Sequence, residues 1–163
     1  MKGVDAKTVT VNAKSNLAFT LLCLPKERRK DMETFYAFCR VVDDIADEPG
    51  FTCEQRMEML GEWKEGFLNG FLDPNPLQRE VMALRKKYRI SSELFVEIIK
   101  GMEMDVYGTE YATFDDLKRY CYLAASVVGL VCLKIFGAND PKSTHYAINL
   151  GYALQLTNII RDV

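Results

Sequence analysis

The sequence lacks paired cysteine motifs and carries almost no net charge. Its five cysteines are an odd number, include no C-x-x-C pair and stand among apolar neighbours. This pattern excludes a zinc scaffold and a disulfide framework. Lysine and arginine (21 residues) nearly balance aspartate and glutamate (23 residues), which leaves a formal charge of -2. No long-range positive field therefore attracts a nucleic acid, and a phosphate-bearing ligand must be held by local groups.

A long apolar segment is also missing. The first residues, about 1–13, are polar and β-branched and contain no secretory signal, so we expect a flexible leader on a cytoplasmic protein. The most apolar run, Cys121–Phe136, has 16 residues, fewer than the roughly 20 that a bilayer requires. This run predicts a buried core helix rather than a transmembrane segment, and peripheral contact with a membrane stays open.

The amino-acid composition is typical of one globular domain. Hydrophobic residues make up 48% and charged residues 27% of the 163 positions, which fits a single core over residues 1–163. Apolar residues recur at helical spacing between breaks, and strand signal is almost absent after residue 12. The pattern predicts an all-α fold of six helices, which begin near Pro25, Thr52, Pro76, Ser91, Thr113 and Asp140.

Small residues are concentrated in the segment Cys121–Gly129. They stand on all sides of the predicted helix, among larger apolar residues. A helix that is apolar all round is expected in the middle of a helical assembly. Two interpretations stay open: the small side chains allow close helix packing, or they leave room for a long apolar ligand beside the helix.

An acidic motif stands at the end of the first predicted helix. Asp43 and Asp47 are four residues apart, so their carboxylates lie on one face at neighbouring turns and repel each other. They also face the negative end of the helix dipole, which calls for a compensating cation. Mg²⁺ fits, because it binds carboxylate oxygens, waters and substrate phosphates. Arg40 can pair with Asp44, and the alternative interpretation of the motif is a solvated, acidic helix end.

A second polar stripe runs along the last predicted helix. Gln155, Asn158 and Asp162 follow helical spacing among leucine, isoleucine and alanine residues. Arg161 adds a fixed cation that can bind phosphate oxygens in a bidentate manner. Two helices with facing oxygen ligands would make a metal site. The alternatives are a buried polar network or a solvated face at a fraying helix end.

Taken together, these motifs resemble the squalene/phytoene synthases, the head-to-head prenyl transferases. The resemblance covers nearly the whole chain from about Lys14 onward. It rests on Leu24-Pro25, Tyr36-Ala37-Phe38-Cys39-Arg40-x-x-Asp43-Asp44-x-x-Asp47-Glu48, Gly101-Met102-x-Met104-Asp105, Tyr120-Cys121-Tyr122, Val128-Gly129 and Leu154-Gln155-x-x-Asn158-x-x-Arg161-Asp162. Ser126 and the run Asp47-Glu48-Pro49-Gly50 look most like the bacterial presqualene diphosphate synthases.

The resemblance implies an all-α isoprenoid-synthase fold with a deep apolar cavity and aspartate motifs at its mouth. It implies Mg²⁺ as the cofactor, with the ligands Asp43, Asp47, Asn158 and Asp162. The side chains that bind the substrate diphosphates would be Arg40, Gln155 and Arg161. Tyr36 and Tyr120 would face the reacting end, and the catalytic residues would be Asp43, Asp47 and Tyr120.

The reaction implied is the condensation of two farnesyl diphosphates to presqualene diphosphate. The alternative within the family is phytoene synthesis from geranylgeranyl diphosphate. No glycine-rich dinucleotide fingerprint is present, so nothing indicates a nicotinamide site. Alternatives from other classes are an all-α nucleotide pyrophosphohydrolase and a helical interaction module without catalysis.

The family's second motif continues four residues beyond Asp162 to another aspartate, and more helices follow it. The chain ends at Val163, so it resembles the N-terminal part of such a synthase. We therefore expect residues 1–163 alone to be inactive.

Overall fold

The computed structural model of the chain describes residues 24–161. The predicted leader at 1–13 and Asp162 lie outside the described residues. Helices account for most of this part of the chain, and no strand occurs between residues 24 and 161. They are α1 (Lys26–Asp47), α2 (Cys53–Asn69), α3 (Pro76–Lys87), α4 (Ser92–Val106), α5 (Phe114–Phe136) and α6 (Pro141–Arg161). The predicted all-α class and the six predicted helices are confirmed.

The helix boundaries follow local capping chemistry. At the start of α2, Thr52 and Gln55 form the predicted capping box, in which each side chain accepts a hydrogen bond from the other residue's backbone N–H. Helices α3 and α5 begin with the same arrangement, at Asn75 and Thr113. Pro25 stands one residue before α1 rather than inside its first turn. Local sequence therefore sets where these helices begin.

An aromatic cluster fixes α1 against its neighbours. Phe38 lies at its centre and is fully buried. Its ring centroid is 5.3 Å from that of Trp63, 5.4 Å from that of Phe67 and 5.4 Å from that of Phe95. Phe67 and Phe95 stack at 4.5 Å. Edge and stacked pairs of this kind add to the free energy of burial, so the helix that carries the acidic motif rests on a rigid base.

Helix α5 contains a π-helical turn at Tyr122–Ser126. Neighbouring helices approach this turn closely on two sides. A Cβ atom at Gly101 of α4 would lie 3.1 Å from the backbone nitrogen of Ala124, and one at Gly151 of α6 would lie 2.4 Å from the Cα atom of Ser126. The Ser126 hydroxyl donates a hydrogen bond to the carbonyl oxygen of Ile148 at 2.7 Å. Close helix packing, one of the two interpretations of this segment, is confirmed here, and the deep apolar cavity stays a prediction.

Helix α5 is longer than its most apolar run. It has 23 residues, because Phe114–Cys121 extends the helix toward its N-terminus. Within the part of the chain that the structure describes, it is the one helix with the length and mean hydropathy to cross a bilayer. The core helix of a soluble protein passes the same test. The buried side of α5 includes Cys121, Val127, Val131 and Ile135, as the prediction of a core helix requires.

Candidate active site

The acidic motif lies on one face of the last turns of α1. Arg40 bridges two carboxylates there, with one guanidinium nitrogen 2.9 Å from Asp43 and the other 2.6 Å from Asp44. All three side chains are about half exposed. The pairing of Arg40 with Asp44 was predicted from their spacing and is confirmed, and Asp43 is an additional partner. Arg40 therefore neutralises part of the motif's charge without removing it from solvent.

A second arginine stabilises the C-terminal end of α1. No basic residue lies in the last turn of this helix. Instead, Arg56 of α2 reaches back and donates a hydrogen bond from Nη1 to the carbonyl oxygen of Ala46 at 2.8 Å. The same guanidinium donates from Nε to the carbonyl oxygen of Phe51 at 3.3 Å. A positive charge was expected at the negative end of the α1 dipole. Part of it comes from Arg56 on α2, a contact that the residue spacing within α1 could not reveal.

The motif retains an excess of negative charge. Burial raises the pKa of Asp43, the neighbouring carboxylate of Asp47 raises it further, and Arg40 opposes the shift. A bound cation would relieve this repulsion. Among residues 24–161, no three histidine, cysteine, aspartate or glutamate side chains come together as a metal cluster. Two carboxylates nevertheless suit Mg²⁺, which usually takes one or two and completes its shell with water and substrate phosphate.

Asp105, at the end of α4, lies within electrostatic range of the acidic motif without forming a cluster with it. Burial raises the pKa of its carboxyl from the ordinary 3.8 to about 6, and the charges of Asp47 and Asp43 add to the rise. The Tyr120 hydroxyl acts in the opposite direction. Asp105 belongs to the Gly101–Asp105 motif, for which the sequence predicted no role. Its nearness to α1 and α5 arises from packing between helices, which sequence spacing does not contain.

Tyr120 lies at the centre of a polar and aromatic group. Its hydroxyl accepts a hydrogen bond from Gln155 Nε2 at 3.2 Å, and the Asp105 carboxyl lies close enough to raise its pKa. Tyr111 stacks on its ring, with the centroids 5.2 Å apart. Burial and the Asp105 carboxylate raise the pKa of Tyr120 far above its usual range, and burial raises the pKa of Tyr111 to about 12. Both phenols are therefore neutral at physiological pH.

The other predicted site residues are less tightly assembled. Gln155 reaches Tyr120, but Asn158 and Arg161 lie on exposed positions of the last turns of α6. Asp162 lies outside the described residues. Tyr36 is half-buried on α1, one turn before Arg40. The structure thus brings Tyr120 together with Tyr111 and Gln155. The charges of Asp43 and Asp47 reach Asp105, and the predicted roles of all the site residues stay predictions.

Comparison with protein families gives a match over almost the whole chain. A family model described as squalene/phytoene synthase matches residues 10–163. Presqualene diphosphate synthase of Zymomonas mobilis is 33% identical over 169 residues, covering 99% of this chain and 57% of the relative. Phytoene synthase of Mycobacterium tuberculosis is 31% identical over 157 residues, covering 96% of this chain and 52% of the relative.

Two solved structures share the fold. Squalene synthase HpnC from Alicyclobacillus acidocaldarius superposes with a TM-score of 0.80 and 28% identity, covering 94% of this chain and 58% of the other. A dehydrosqualene synthase in complex with ligand gives a TM-score of 0.75 and 28% identity, covering 96% of this chain and 54% of the other. The chain spans about half the length of the curated relatives that it matches.

Proposed function

We propose, on the premise that the chain belongs to the squalene/phytoene synthase family, that its full-length protein joins two prenyl diphosphates head to head. The observation that carries this proposal is that Asp43 and Asp47 of α1 lie within electrostatic range of Asp105 on α4, whose pKa also responds to Tyr120 on α5. Carboxylates beside a neutral phenol suit a reaction in which a diphosphate leaves and an allylic cation remains. The names of the relatives, presqualene diphosphate synthase and phytoene synthase, support the same reaction class.

The substrate diphosphates would be bound by Arg40, Arg161 and the side-chain amide of Gln155. Arg40 uses one N–H of each terminal nitrogen in its ion pairs. A guanidinium has five N–H donors, so Arg40 can bind a phosphate oxygen and still hold α1's carboxylates. Arg161, six residues beyond Gln155 on α6, would approach the diphosphate from the other side. These two positive groups would orient the leaving group and hold its growing negative charge.

Mg²⁺ is the proposed cofactor. When bound, it would stabilise the charge of the departing diphosphate. Asp43 and Asp47 would hold it on α1, and Asn158 and Asp162 would hold it on the second stripe. All four side chains offer oxygen ligands, the type that this hard ion prefers. By binding the same ion, these ligands would also hold α1 and the second stripe in a fixed orientation toward the substrate.

Tyr120 would stabilise the allylic cation. Its ring can interact with a positive charge at its face, worth about 0.5–2 kcal/mol depending on desolvation. The apolar residues around α5 would exclude water, which would otherwise quench the cation. Tyr36 would border the same reacting end from α1.

Farnesyl diphosphate is the proposed substrate. The proposed product is presqualene diphosphate, a cyclopropyl compound formed from two farnesyl diphosphates with release of one diphosphate and one proton. Ser126 and the Asp47–Gly50 run support this choice, since they look like those of bacterial presqualene diphosphate synthases. Identity does not separate the branches, because relatives of both names lie between 31% and 37%. Phytoene synthesis from geranylgeranyl diphosphate is the alternative. A cytoplasmic location, with peripheral membrane contact where the apolar substrate enters, also belongs to the proposal.

The test is an assay of the full-length protein with Mg²⁺ and no nicotinamide. We expect farnesyl diphosphate to be consumed and chromatography of the dephosphorylated product to identify presqualene alcohol. Phytoene from geranylgeranyl diphosphate would move the protein to the carotenoid branch. Consumption of neither substrate, or hydrolysis of nucleoside triphosphates instead, would contradict the proposed function. A Mg²⁺-dependent thermal shift with a farnesyl diphosphate analogue, compared with a nucleotide, gives a second readout.

A further inference from the structure

We propose that Arg56 is a positioning residue that fixes the direction of the Asp47 side chain by binding the carbonyl oxygen of Ala46. This role rests on the proposed function, in which Asp47 is a ligand of Mg²⁺. Arg56 belongs to α2, and it is not part of any motif that indicated the site. It therefore adds to the site a residue from a helix that carries no predicted ligand.

Helix α1 does not end in a glycine cap. The last four carbonyl groups of an α-helix have no N–H partner within the helix. A glycine in the left-handed conformation commonly lies just beyond such an end. The residue after α1 is instead Glu48, with an extended backbone at φ −65° and ψ 109°. Pro49 follows and has no N–H to donate. The turn that carries Asp47 therefore depends on donors from elsewhere in the chain.

Arg56 binds both sides of the α1–α2 connection with one guanidinium group. Its Nη1 donates to the carbonyl oxygen of Ala46 at 2.8 Å, and its Nε donates to that of Phe51 at 3.3 Å. The first bond holds the last turn of α1, and the second holds the other end of the connection. A guanidinium is planar and rigid, so two bonds fix its orientation. The end of α1 is thereby tied to the start of α2.

The bond to Ala46 acts on Asp47 through the peptide plane. The carbonyl oxygen of Ala46 and the nitrogen and Cα atoms of Asp47 belong to one planar peptide group. A bond that holds the oxygen therefore restricts rotation of this plane, and with it the direction in which the Asp47 side chain leaves the backbone. Asp47 is exposed, so packing of its own side chain does not hold it. Helix ends fray when nothing binds them.

Arg56 binds the backbone and leaves the carboxylate available. Within residues 24–161, Asp47 makes no ion pair, whereas Arg40 binds both Asp43 and Asp44. A cation at this end opposes the negative end of the helix dipole. A direct ion pair with Asp47 would do the same, but it would occupy the oxygen atoms that would bind a metal. The contact with Ala46 provides the positive charge without using the ligand.

The chain contains a matched arginine for comparison. Arg79 is the fourth residue of α3, as Arg56 is of α2, and both helices begin with a capping box. The Nη1 of Arg79 also donates to the carbonyl oxygen five residues earlier, that of Pro74. Within the described part of the chain, the Arg79 side chain makes no hydrogen bond to another helix. Substitution of each arginine thus separates a local effect at a helix start from an effect on Asp47.

The first test measures hydrogen–deuterium exchange of the full-length protein without metal or substrate. Exchange of segment 47–51 should become about 10-fold faster in Arg56→Gln, because two bonds from a charged donor are lost. The amides of Gly50 and Phe51 report this, since both donate to Glu48 within the connection. Arg79→Gln should leave the segment unchanged. Exchange of 47–51 at the parent rate in Arg56→Gln would overturn the proposal.

The second test measures the Mg²⁺ concentration that gives half-maximal turnover of farnesyl diphosphate. It should rise about 10-fold in Arg56→Gln, since loss of a group that orients a metal ligand costs at least this much affinity. Arg79→Gln should match the parent. Charge alone predicts the opposite sign, because removal of a nearby cation favours a bound metal. An unchanged or lower Mg²⁺ requirement in Arg56→Gln would therefore overturn the proposal.

The two tests also separate this proposal from the proposed function. If the protein consumes neither prenyl diphosphate, the proposed function fails, and the exchange measurement still decides whether Arg56 holds the end of α1. Circular dichroism confirms that each variant is folded. A variant that is only less stable would have a lower melting temperature and the parent's Mg²⁺ requirement, which would count against a positioning role.

Discussion

The acidic end of α1 and the polar stripe of α6 are supported very differently. Nine residues of α1 are buried, and the aromatic cluster around Phe38 lies directly before Arg40. Only Ala147 and Gly151 are buried on α6, and Leu154 and Ile160 are 55% and 76% exposed. One region is a packed scaffold that carries charges. The other is a helix that packs on α5 along one side, near Ala147 and Gly151, and leaves its opposite side exposed.

This difference indicates which interactions hold the predicted site residues in place on each helix. On α1, the free energy of burying aromatic side chains holds carboxylates that repel one another. On α6, the close approach of Gly151 to Ser126 positions Gln155, one turn later, against Tyr120. Residues further along α6 have progressively less packing behind them. We therefore expect the two regions to respond differently to substitution.

The largest effect is expected at the packed region. Asp47→Asn in the full-length protein should lower Mg²⁺-supported turnover by about 100-fold or more, because metal-borne charge stabilisation is worth several kcal/mol. The helical circular dichroism spectrum should match that of the parent, since Asp47 is exposed and contributes nothing to the core. Steady-state assays with farnesyl diphosphate measure the effect. Turnover at the parent level would show that Asp47 is not a metal ligand.

Gly151→Ala should disrupt a close contact between α6 and α5. The added Cβ would lie 2.4 Å from the Cα atom of Ser126, so a backbone must move. Overpacking of this kind costs about 1–3 kcal/mol, and it should lower the melting temperature and displace Gln155. Gly61→Ala is the matched control in α2, where the new methyl group meets no atom within 4 Å. That change should raise stability by up to about 1 kcal/mol, because alanine favours the helix. Equal effects of the two variants would remove the distinction between the regions.

The exposed side of α6 should make residues 1–163 associate when expressed alone. Tyr146, Leu150 and Leu154 follow a spacing of four and are 66%, 41% and 55% exposed, so they form one apolar stripe. Size-exclusion chromatography should show oligomers, and Leu154→Glu should shift them toward monomer. We also expect no consumption of farnesyl diphosphate. A monomer with measurable turnover would refute the expectation that this part of the protein is inactive.

The smallest effect concerns pH. The pKa of Asp105 is about 6 in the folded chain against the ordinary 3.8, so the folded state binds its proton more tightly. Its stabilising contribution is complete below about 3.8 and is lost as pH rises through about 6. Asp43 and Asp47 on α1 and Tyr120 on α5 are the groups that act on it.

Urea denaturation measures this without Mg²⁺ or substrate. The free energy of unfolding of the parent should rise relative to that of Asp105→Asn as pH is lowered from about 7 to 4.5. Other titrating groups are shared by both proteins and cancel in the difference, apart from Asp43 and Asp47, whose charges interact with that of Asp105. A pH-independent difference would mean that the Asp105 carboxyl has an ordinary pKa. Asp73→Asn, on the exposed α2–α3 connection, should stay parallel to the parent.

Sequence patterns predicted the features that depend on neighbouring residues, namely the helices and an ion pair within one helix. Proline and glycine breaks, the Thr52 capping box and apolar spacing gave six helices, and all six are present in residues 24–161. The spacing of Arg40 and Asp44 likewise predicted their ion pair, since both lie on one helix. These features depend on residues within a few positions of one another.

Contacts between helices could not be predicted in this way. Arg56 reaches Ala46 from the next helix, and Gln155 of α6 meets Tyr120 of α5. Neither pair has a spacing that indicates contact. The π-helical turn was also missed, because Tyr122–Ser126 contains residues that any α-helix accepts. The turn coincides with the close approaches at Gly101 and Gly151, which exist only in the assembled fold.

The π-helical turn also changes the angle between the side chains that precede it in α5 and those that follow it. Each residue of an α-helix advances the side-chain direction by about 100°, and a π turn accommodates one residue more than an α turn. Tyr120, before the turn, can therefore face Asp105 and Gln155, while Ser126 at its end faces Ile148. Deleting one residue from Tyr122–Ser126 would restore regular winding and turn the two halves of α5 relative to each other. An insertion or deletion in this segment, unlike one in a loop, would thus rotate Tyr120 relative to the second half of α5.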